Sequence, residues 1–446
     1  MRTGTDANNS NVRTPHGFRF STIGVTNFAG DRYEISTMVK DVTINESIYS
    51  QTIVMEMTIV DAANFMELAK ISGNEKVDVT FIRTIPERGS SDTELSKQVQ
   101  EFTMELRVAD VPQFAKPKPH SQVYKLQCVS EHTYLGNGTR ISAAFSGTPS
   151  SIINNIMQTY MGVSATAVDT TIGNHKVIVP NKLAVDAINW IQKIGFDSGN
   201  APLYIFETLM DGLQIRGHSQ LISAEPLPTV YKHESFFTAG VDTRADYFQR
   251  QSRILAISSS LGMSNLSGIK KGSYGSTVHE VDHFAKKSRT IVYKDDRESN
   301  QMIERYKLSS PEYKYGTKNV NDLGVSSYSM ITYLKDSYNG KSYSSQKADL
   351  GPRKKAIWNN LGSTTHIISL LGDPEVRPGS LIRIKLPIAT DPGLDDLSLL
   401  ADAKYDQYLS GTYMIVSAIH RFDELGGYYT EIKIKRDSTP TELVNV

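Results

Sequence analysis

Two stretches decide the reading of this chain: V-A-D-V-P-Q-F, Val108 to Phe114, and V-S-A-I-H-R-F, Val416 to Phe422. Apolar residues agree at the first, fourth and seventh places, pairing Val108 with Val416, Val111 with Ile419 and Phe114 with Phe422. Three matches alone would be chance, but the surroundings also agree in order. A strand led in by a polar turn precedes each stretch, N-E-K-V-D-V-T-F-I in one case and P-G-S-L-I-R-I-K-L-P-I in the other. After each come a loop and an alternating strand, Y-K-L-Q-C-V or Y-T-E-I-K-I-K. The second stretch lies in a hairpin from Tyr413 to Ser438 that ends in the charged run K-I-K-R-D-S. The expectation is a β module that occurs twice, in superposable positions. The competing explanation is convergent β texture, which is common among sheet proteins.

Period-two alternation extends this β reading outward. Ile53, Met55, Met57 and Ile59 alternate with more polar neighbours, as do Val77, Val79 and Phe81, then Phe102, Met104, Leu106 and Val108, then Tyr124, Leu126 and Cys128. A short helix is expected after Asp61, its N-cap, and before Gly73. The prolines of F-A-K-P-K-P-H point to a stiff, extended loop. The texture changes around Gly136-Asn137-Gly138. Thr148 caps a helix with Pro149 in its first turn and an apolar stripe of Ile152, Ile153, Ile156, Met157 and Tyr160. A second helix carries Leu183, Ala187, Ile188, Ile191 and Ile194 on one side, and a hairpin turning at Asp211-Gly212 follows. Another helix is expected near Arg353 to Leu361, with Trp190 and Trp358 as core anchors in helices.

Bulk composition narrows the function classes. At 446 residues the chain is long enough for about two to four domains. Lys plus Arg and Asp plus Glu each number 48, so no overall basic field draws the protein to nucleic acid. The single cysteine, Cys128, excludes an internal disulfide and a cysteine-based zinc site, and reads as a small core residue. The N-terminus is polar, without the apolar core of a secretory signal, and no apolar run reaches the ~18 residues of a membrane span. The expectation is a soluble protein with no membrane insertion.

The sharpest enzymatic motif is H-E-V-D-H, His279 to His283, which satisfies the H-E-x-x-H pattern. In a zinc peptidase the two histidines lie one helical turn apart and the glutamate acts on metal-bound water. Here a Gly/Ser-rich lead runs into a β-looking segment. On a strand, the two histidines would stand about 13 Å apart, too far to share a metal. Gly268, Gly272 and Gly275 lack phosphate-loop spacing and read as turn glycines. The pairs Asp295-Asp296 and Asp395-Asp396 fall in polar loops, and D-P-G-L-D-D lacks the spacing of a calcium loop. No catalytic, cofactor-binding or metal-ligating residue is assigned.

Taken in order, four segments resemble the baseplate hub proteins of contractile-tailed phages and, more distantly, the N-terminal half of type VI secretion spike proteins. They are T-I-V-M-E-M-T-I-V-D-A-A-N-F; K-V-I-V-P-N-K-L-A-V-D-A-I-N-W-I with L-Y-I-F-E-T-L-M-D-G-L-Q-I-R; G-S-Y-G-S-T-V-H-E-V-D; and Y-L-S-G-T-Y-M-I-V-S-A-I-H-R-F through K-R-D-S. None is a catalytic motif; the specificity lies in their order along nearly the whole chain. The resemblance implies an α+β, mainly β fold with two related barrel-like tube domains, a small α/β domain and a peripheral segment. The expected division is a flexible arm at 1–16, a first tube domain at 17–135, the α/β domain at 136–245, a discontinuous second tube domain at 246–285 plus 363–438, a peripheral insertion at 286–362 and a tail at 439–446.

The resemblance further implies a structural, non-enzymatic virion protein of the tail baseplate, assembled in the host bacterial cytoplasm. It would be a homotrimer forming a pseudo-hexameric ring that joins the sixfold tail tube to the threefold central spike. Its partners would be the spike protein, the tube protein or a tube-initiating ring, neighbouring baseplate proteins and the tape measure protein. DNA would pass through the lumen without specific binding and no cofactor would be needed. The spike, and any lysozyme activity, would belong to a separate chain, because no OB module or triple-stranded β-helix repeat follows. Two other readings compete: a zinc-dependent peptidase built on His279–His283, and a carbohydrate-binding β protein using the Tyr-rich 324–345 region.

Overall fold

In the computed structural model, the described residues are 18–86, 97–233, 251–261, 268, 270–282, 286–294, 314–315, 318–319, 328–333, 343–362, 364–388, 405–406, 408–423 and 427–437. The first group of strands is β1 (Phe18–Thr26), β2 (Arg32–Glu34), β3 (Val39–Ser47), β4 (Val54–Asp61), β5 (Lys76–Pro86), β6 (Lys97–Lys118) and β7 (Ser121–Ser130). The alternation read from sequence is the alternation of burial: in β7 every second residue is buried, and Met55, Met57, Ile59, Val77, Val79 and Leu106 share one core with Cys128. The short helix α1 (Phe65–Leu68) begins at Asn64. Asp61, expected as the cap, lies three residues before Asn64, yet its carboxylate accepts the N–H of Ala63 at 2.8 Å and that of Met66, in the first turn of α1, at 3.4 Å.

The stretch F-A-K-P-K-P-H is not a loop as far as Lys118: β6 runs on through it for 22 residues, pairing with β5 over its first half and β7 over its second. Its prolines are accommodated because the ladder slips beside them, between Asp110 and Gln113 and between Ala115 and Lys118. A residue without an N–H fits a strand at such irregularities.

Next come α2 (Glu131–Gly138), β8 (Arg140–Gly147), α3 (Pro149–Tyr160), β9 (Ala167–Val168), β10 (His175–Leu183), α4 (Ala184–Ile194), β11 (Leu203–Thr208), β12 (Gly212–Gly217) and α5 (His218–Ser223). Thr148 caps α3 through its side-chain oxygen, which accepts from Ser151 N–H at 3.4 Å. Helices α3 and α4 bury Ile152, Ile153, Ile156, Met157, Ala187, Ile188 and Ile191 against β8, β10, β11 and β12. The β11–β12 hairpin closes at Thr208 and Gly212, and Gly212 takes φ +68°, a conformation costly for a residue with a Cβ. The expected boundary at 135/136 falls inside α2.

The remaining strands are β13 (Val230–Lys232), β14 (Ile254–Leu261), β15 (Gly275–Asp282), β16 (Lys287–Lys294), β17 (Lys314–Tyr315), β18 (Lys318–Asn319), β19 (Tyr328–Tyr333), β20 (Thr364–Leu371), β21 (Leu381–Lys385), β22 (Gly411–Asp423) and β23 (Tyr428–Arg436), with α6 (Tyr343–Asn360) before β20. One sheet of 13 strands dominates, in the order β14-β20-β23-β22-β3-β4-β7-β6-β5-β1-β2, with β21 beside β22 and β13 beside β21. Strand β15 pairs with β16 and β19 in a separate sheet, so the expected boundary at 285/286 falls between two strands of one ladder. The fold is α+β and mainly β. Among the described residues no helix is long and apolar enough to cross a membrane. The expected arm at 1–16 and tail at 439–446 lie outside the described residues.

Candidate assembly site

Strands β3 to β7 lie side by side in the order 3-4-7-6-5. Strands β14, β20, β21, β22 and β23 lie in the order 14-20-23-22-21. Each is the same plan: first, second, fifth, fourth, third. Bulges mark the correspondence. In β6 the register against β7 shifts between Val108 and Asp110; in β22 the register against β23 shifts between Ile415 and Ser417. Setting these two bulges on each other places Leu126 on Ile432, Met57 on Ile368 and Met55 on His366. A second pair of bulges then coincides, Val39/Asp41 in β3 against β4 and Ile254/Ala256 in β14 against β20. Bulges bend a strand at a chosen point, and two falling at equivalent ladder positions are the signature of one module used twice.

The strand plan therefore repeats, while the residue matches expected from the sequence do not hold in register. Counting from the bulge, Val108 corresponds to Ile415, one place before Val416, which is itself the bulged residue. β6 slips once more at Pro112 where β22 does not, so Phe114 stands at the place of His420; it is half exposed, whereas Phe422 is buried in the core of the first repeat. A bulge adds a residue without any change in composition, so it cannot be seen in the periodicity.

The two repeats meet at β22 and β3, which pair antiparallel from Ser417↔Ser47 to Asp423↔Asp41. Phe422 and Tyr428 of the second repeat enter the core of the first, Phe422 against Phe20 and Phe81 with ring centroids 5.5 and 5.3 Å apart. Arg83 on β5 holds Asp373, after β20, at 3.0 Å in a buried ion pair. At the centre, the Glu46 carboxyl accepts the Leu209 N–H at 2.6 Å, joining the α/β region to the junction. Its other oxygen faces His420 Nε2 at 4.0 Å. Burial pushes the Glu46 carboxyl up to about 8, and burial with nearby Arg83 brings His420 down to about 4. Near pH 7 the two groups therefore meet neutral, with Tyr428 OH 3.0 Å from His420 Nδ1. Sequence reasoning missed Glu46 and His420; each reads there as one polar residue in a strand.

Each end of the repeated plan is left open among the described residues. Strand β14 pairs with β20 on one side; on the other, among the described residues, only its lead at Ser252 and Arg253 meets β13, at Lys232, and no strand pairs with it beyond Ile254. Beyond Arg107, β6 pairs with β7 alone. These edges are the counterparts of the two that join at β3 and β22.

Of the motif, His279 to Asp282 lie on strand β15. His279 sits on β15 with Nδ1 3.0 Å from Thr290 Oγ1 on β16, while Glu280 points the other way, buried, and pairs with Arg289. His283 lies outside the described residues, as do Asp295-Asp296 and Asp395-Asp396, and no side chain is described in the Tyr-rich 324–345 region. Among the described residues no group of three His, Cys, Asp or Glu is placed to hold a metal. Trp190 is half-buried against the α/β core, but Trp358 is 41% exposed, stacked on Tyr204 at 5.4 Å rather than anchoring a core.

No family model and no curated protein matches the chain. Among solved structures, the tail protein from Neisseria meningitidis MC58 superposes with a TM-score of 0.52 at 12% identity, covering 94% of this chain and 97% of that one. The 43 kDa tail protein of prophage MuSo2 from Shewanella oneidensis gives a TM-score of 0.48 at 10% identity, covering 94% and 98%. An E. coli component of the type VI secretion system gives 0.41 at 7% identity, covering 95% and 78%. The chain thus shares the fold of the Neisseria tail protein over nearly its whole length.

Proposed function

We propose that this chain is the structural hub of a phage tail baseplate. In this reading three copies close a pseudo-hexameric ring, each supplying two walls: β3–β7 from segment 17–135, and β14 with β20–β23 from 246–285 plus 363–438. The observation that carries the reading is the repeated five-strand plan with its two matched bulges and its two open ends. A junction already made once within the chain, with both of its partners presented again at free edges, is the pattern of a heterologous contact that closes by rotation. The fold likeness to the Neisseria tail protein supports the same reading. The ring would join a sixfold tail tube, or a tube-initiating ring, to a threefold central spike in the virion, with baseplate and tape measure proteins as neighbours. Zero net charge suits a lumen that passes DNA without gripping it. The function requires no catalytic residue and no cofactor.

Native mass measurement and negative-stain imaging of the purified protein test this. A trimer with a central hole is expected. A monomer that carries stoichiometric zinc would overturn it in favour of the peptidase reading.

A further inference from the structure

Resting on the hub reading, we infer that the exposed edge of β14 in one copy pairs antiparallel with the distal half of β6 in a second copy, in the register that β3 and β22 use within the chain. That register sets Phe114 opposite Ser259 and Ala115 opposite Ser258. It follows by transfer. His420 pairs with Ile44 and Arg421 with Thr43. Through the ladders, Phe114 and Ala115 occupy the places of His420 and Arg421, and Ser259 and Ser258 those of Ile44 and Thr43.

Three observations favour a second copy of this chain over another partner. The two edges are complementary in direction and belong to opposite ends of one repeated plan, so one contact uses both. Ser258, Ser259 and Ser260 are exposed and offer little apolar surface, leaving backbone pairing as what the edge has to give. Phe114 is 50% exposed, stacked on Tyr124 at 6.3 Å, at the place where the arriving strand would cover it. The junctions around the ring then differ in kind. Within a chain the junction is apolar and carries buried ionisable groups. Between chains it is a serine edge held by backbone hydrogen bonds, and it forms last.

Single variants F114C and S259C, mixed and mildly oxidised, test the register, as do A115C and S258C. Neighbouring antiparallel pairs alternate between hydrogen-bonded and non-hydrogen-bonded geometry, and the closer, non-hydrogen-bonded one brings the side chains together. Native Cys128 is buried. Mixing permits linkage between F114C and S259C only across chains, so a shift from monomer to disulfide dimer is expected for at least one pair. I178C mixed with S259C, Ile178 being exposed in the α/β region, should give none. A native trimer with neither pair cross-linking would overturn this junction and leave the hub standing. Cross-linked dimers without any trimer would keep the junction and overturn the hub. Linkage found only within double-variant chains, never on mixing, would sink the inter-chain pairing.

Discussion

Where the first repeat carries Met55, the second carries His366; where the first has Ile44 and Leu106, the second has Ser259 and Tyr413. The first set is an apolar layer. The second is a chain of hydrogen bonds through the same space. His366 Nδ1 lies 2.7 Å from Ser259 Oγ, His366 Nε2 lies 3.1 Å from Tyr413 OH, and that hydroxyl donates to Leu409 O at 2.7 Å. His366 and Tyr413 are buried and Ser259 lies at the exposed edge, and every polar atom in the run has a partner, as a polar run that enters a sheet core requires. The difference shows that strand plan and bulge positions define the module, while the material filling it is free to change provided each layer is internally complete. It also bends the second repeat toward its surroundings, since Tyr413 ties the core to the 408–410 turn, which Arg436 also holds through Tyr408 O and Ser410 O.

The most damaging way to break the comparison is to delete a bulge residue. Removing Val416 would make Ile415 and Ser417 consecutive partners of Ile434 and Lys433, straightening the strand where it enters the junction and emptying the buried place of the Val416 side chain. That variant should be insoluble or fail to show a cooperative melt. Removing Ala109 from the other repeat moves residues that are mostly exposed, and should leave a folded monomer by circular dichroism. Next in size is D373A, which removes the carboxylate that Arg83 holds across the repeats; a loss of up to about 3 kcal/mol in denaturant unfolding is expected. H366M places the first repeat's residue in the second and leaves Ser259 without its acceptor. It should cost about 1–3 kcal/mol. The triple variant S259I/H366M/Y413L, which rebuilds the whole apolar layer, should recover a good part of that loss.

A further set of effects appears only with pH. Glu46 has a folded value of about 8 against an ordinary 4.5, so the native state keeps a proton that the unfolded chain has released. Stability from this group is complete at acid pH and declines as pH rises from about 4.5 to 8. The groups around it include Glu207 and Asp211, which raise its value further, and Arg377, which lowers it; His420 faces it from β22. His218, His366 and His420 act in the opposite direction. Each is lowered from 6.5 to about 4, so their contribution is present above 6.5 and lost as pH falls toward 4. Thermal melts should therefore peak near pH 6.5. E46Q should flatten the alkaline side of that curve and steepen the acid side above about pH 4.5, whereas H366M should soften only the acid side.

The β character, the α/β helices with the Thr148 cap, and the order of strands around both quoted stretches were legible in the sequence because each rests on local periodicity or a local cap. The strand nature of His279 to Asp282 was legible too, from the Gly/Ser-rich lead. What could not be read was any quantity set between distant segments. The pairing of Ser47 with Ser417 depends on register between strands some 370 residues apart, to which no local pattern contributes. The prolines of F-A-K-P-K-P-H point to a loop because proline breaks a regular ladder, whereas here the ladder slips beside Pro117 and the strand continues to Lys118. Trp358 looked like a core residue by type, yet it caps an aromatic stack at a surface.

The extra residue near Pro112 has one more consequence. Strand β6 carries it and β22 does not, so the two walls of a chain are out of phase by one residue just where the next strand would dock. In the proposed ring this offset would occur at every second seam. A collar with six walls would then read as sixfold at low detail and as threefold at the level of a single amide, and a threefold partner could find its orientation from that parity alone.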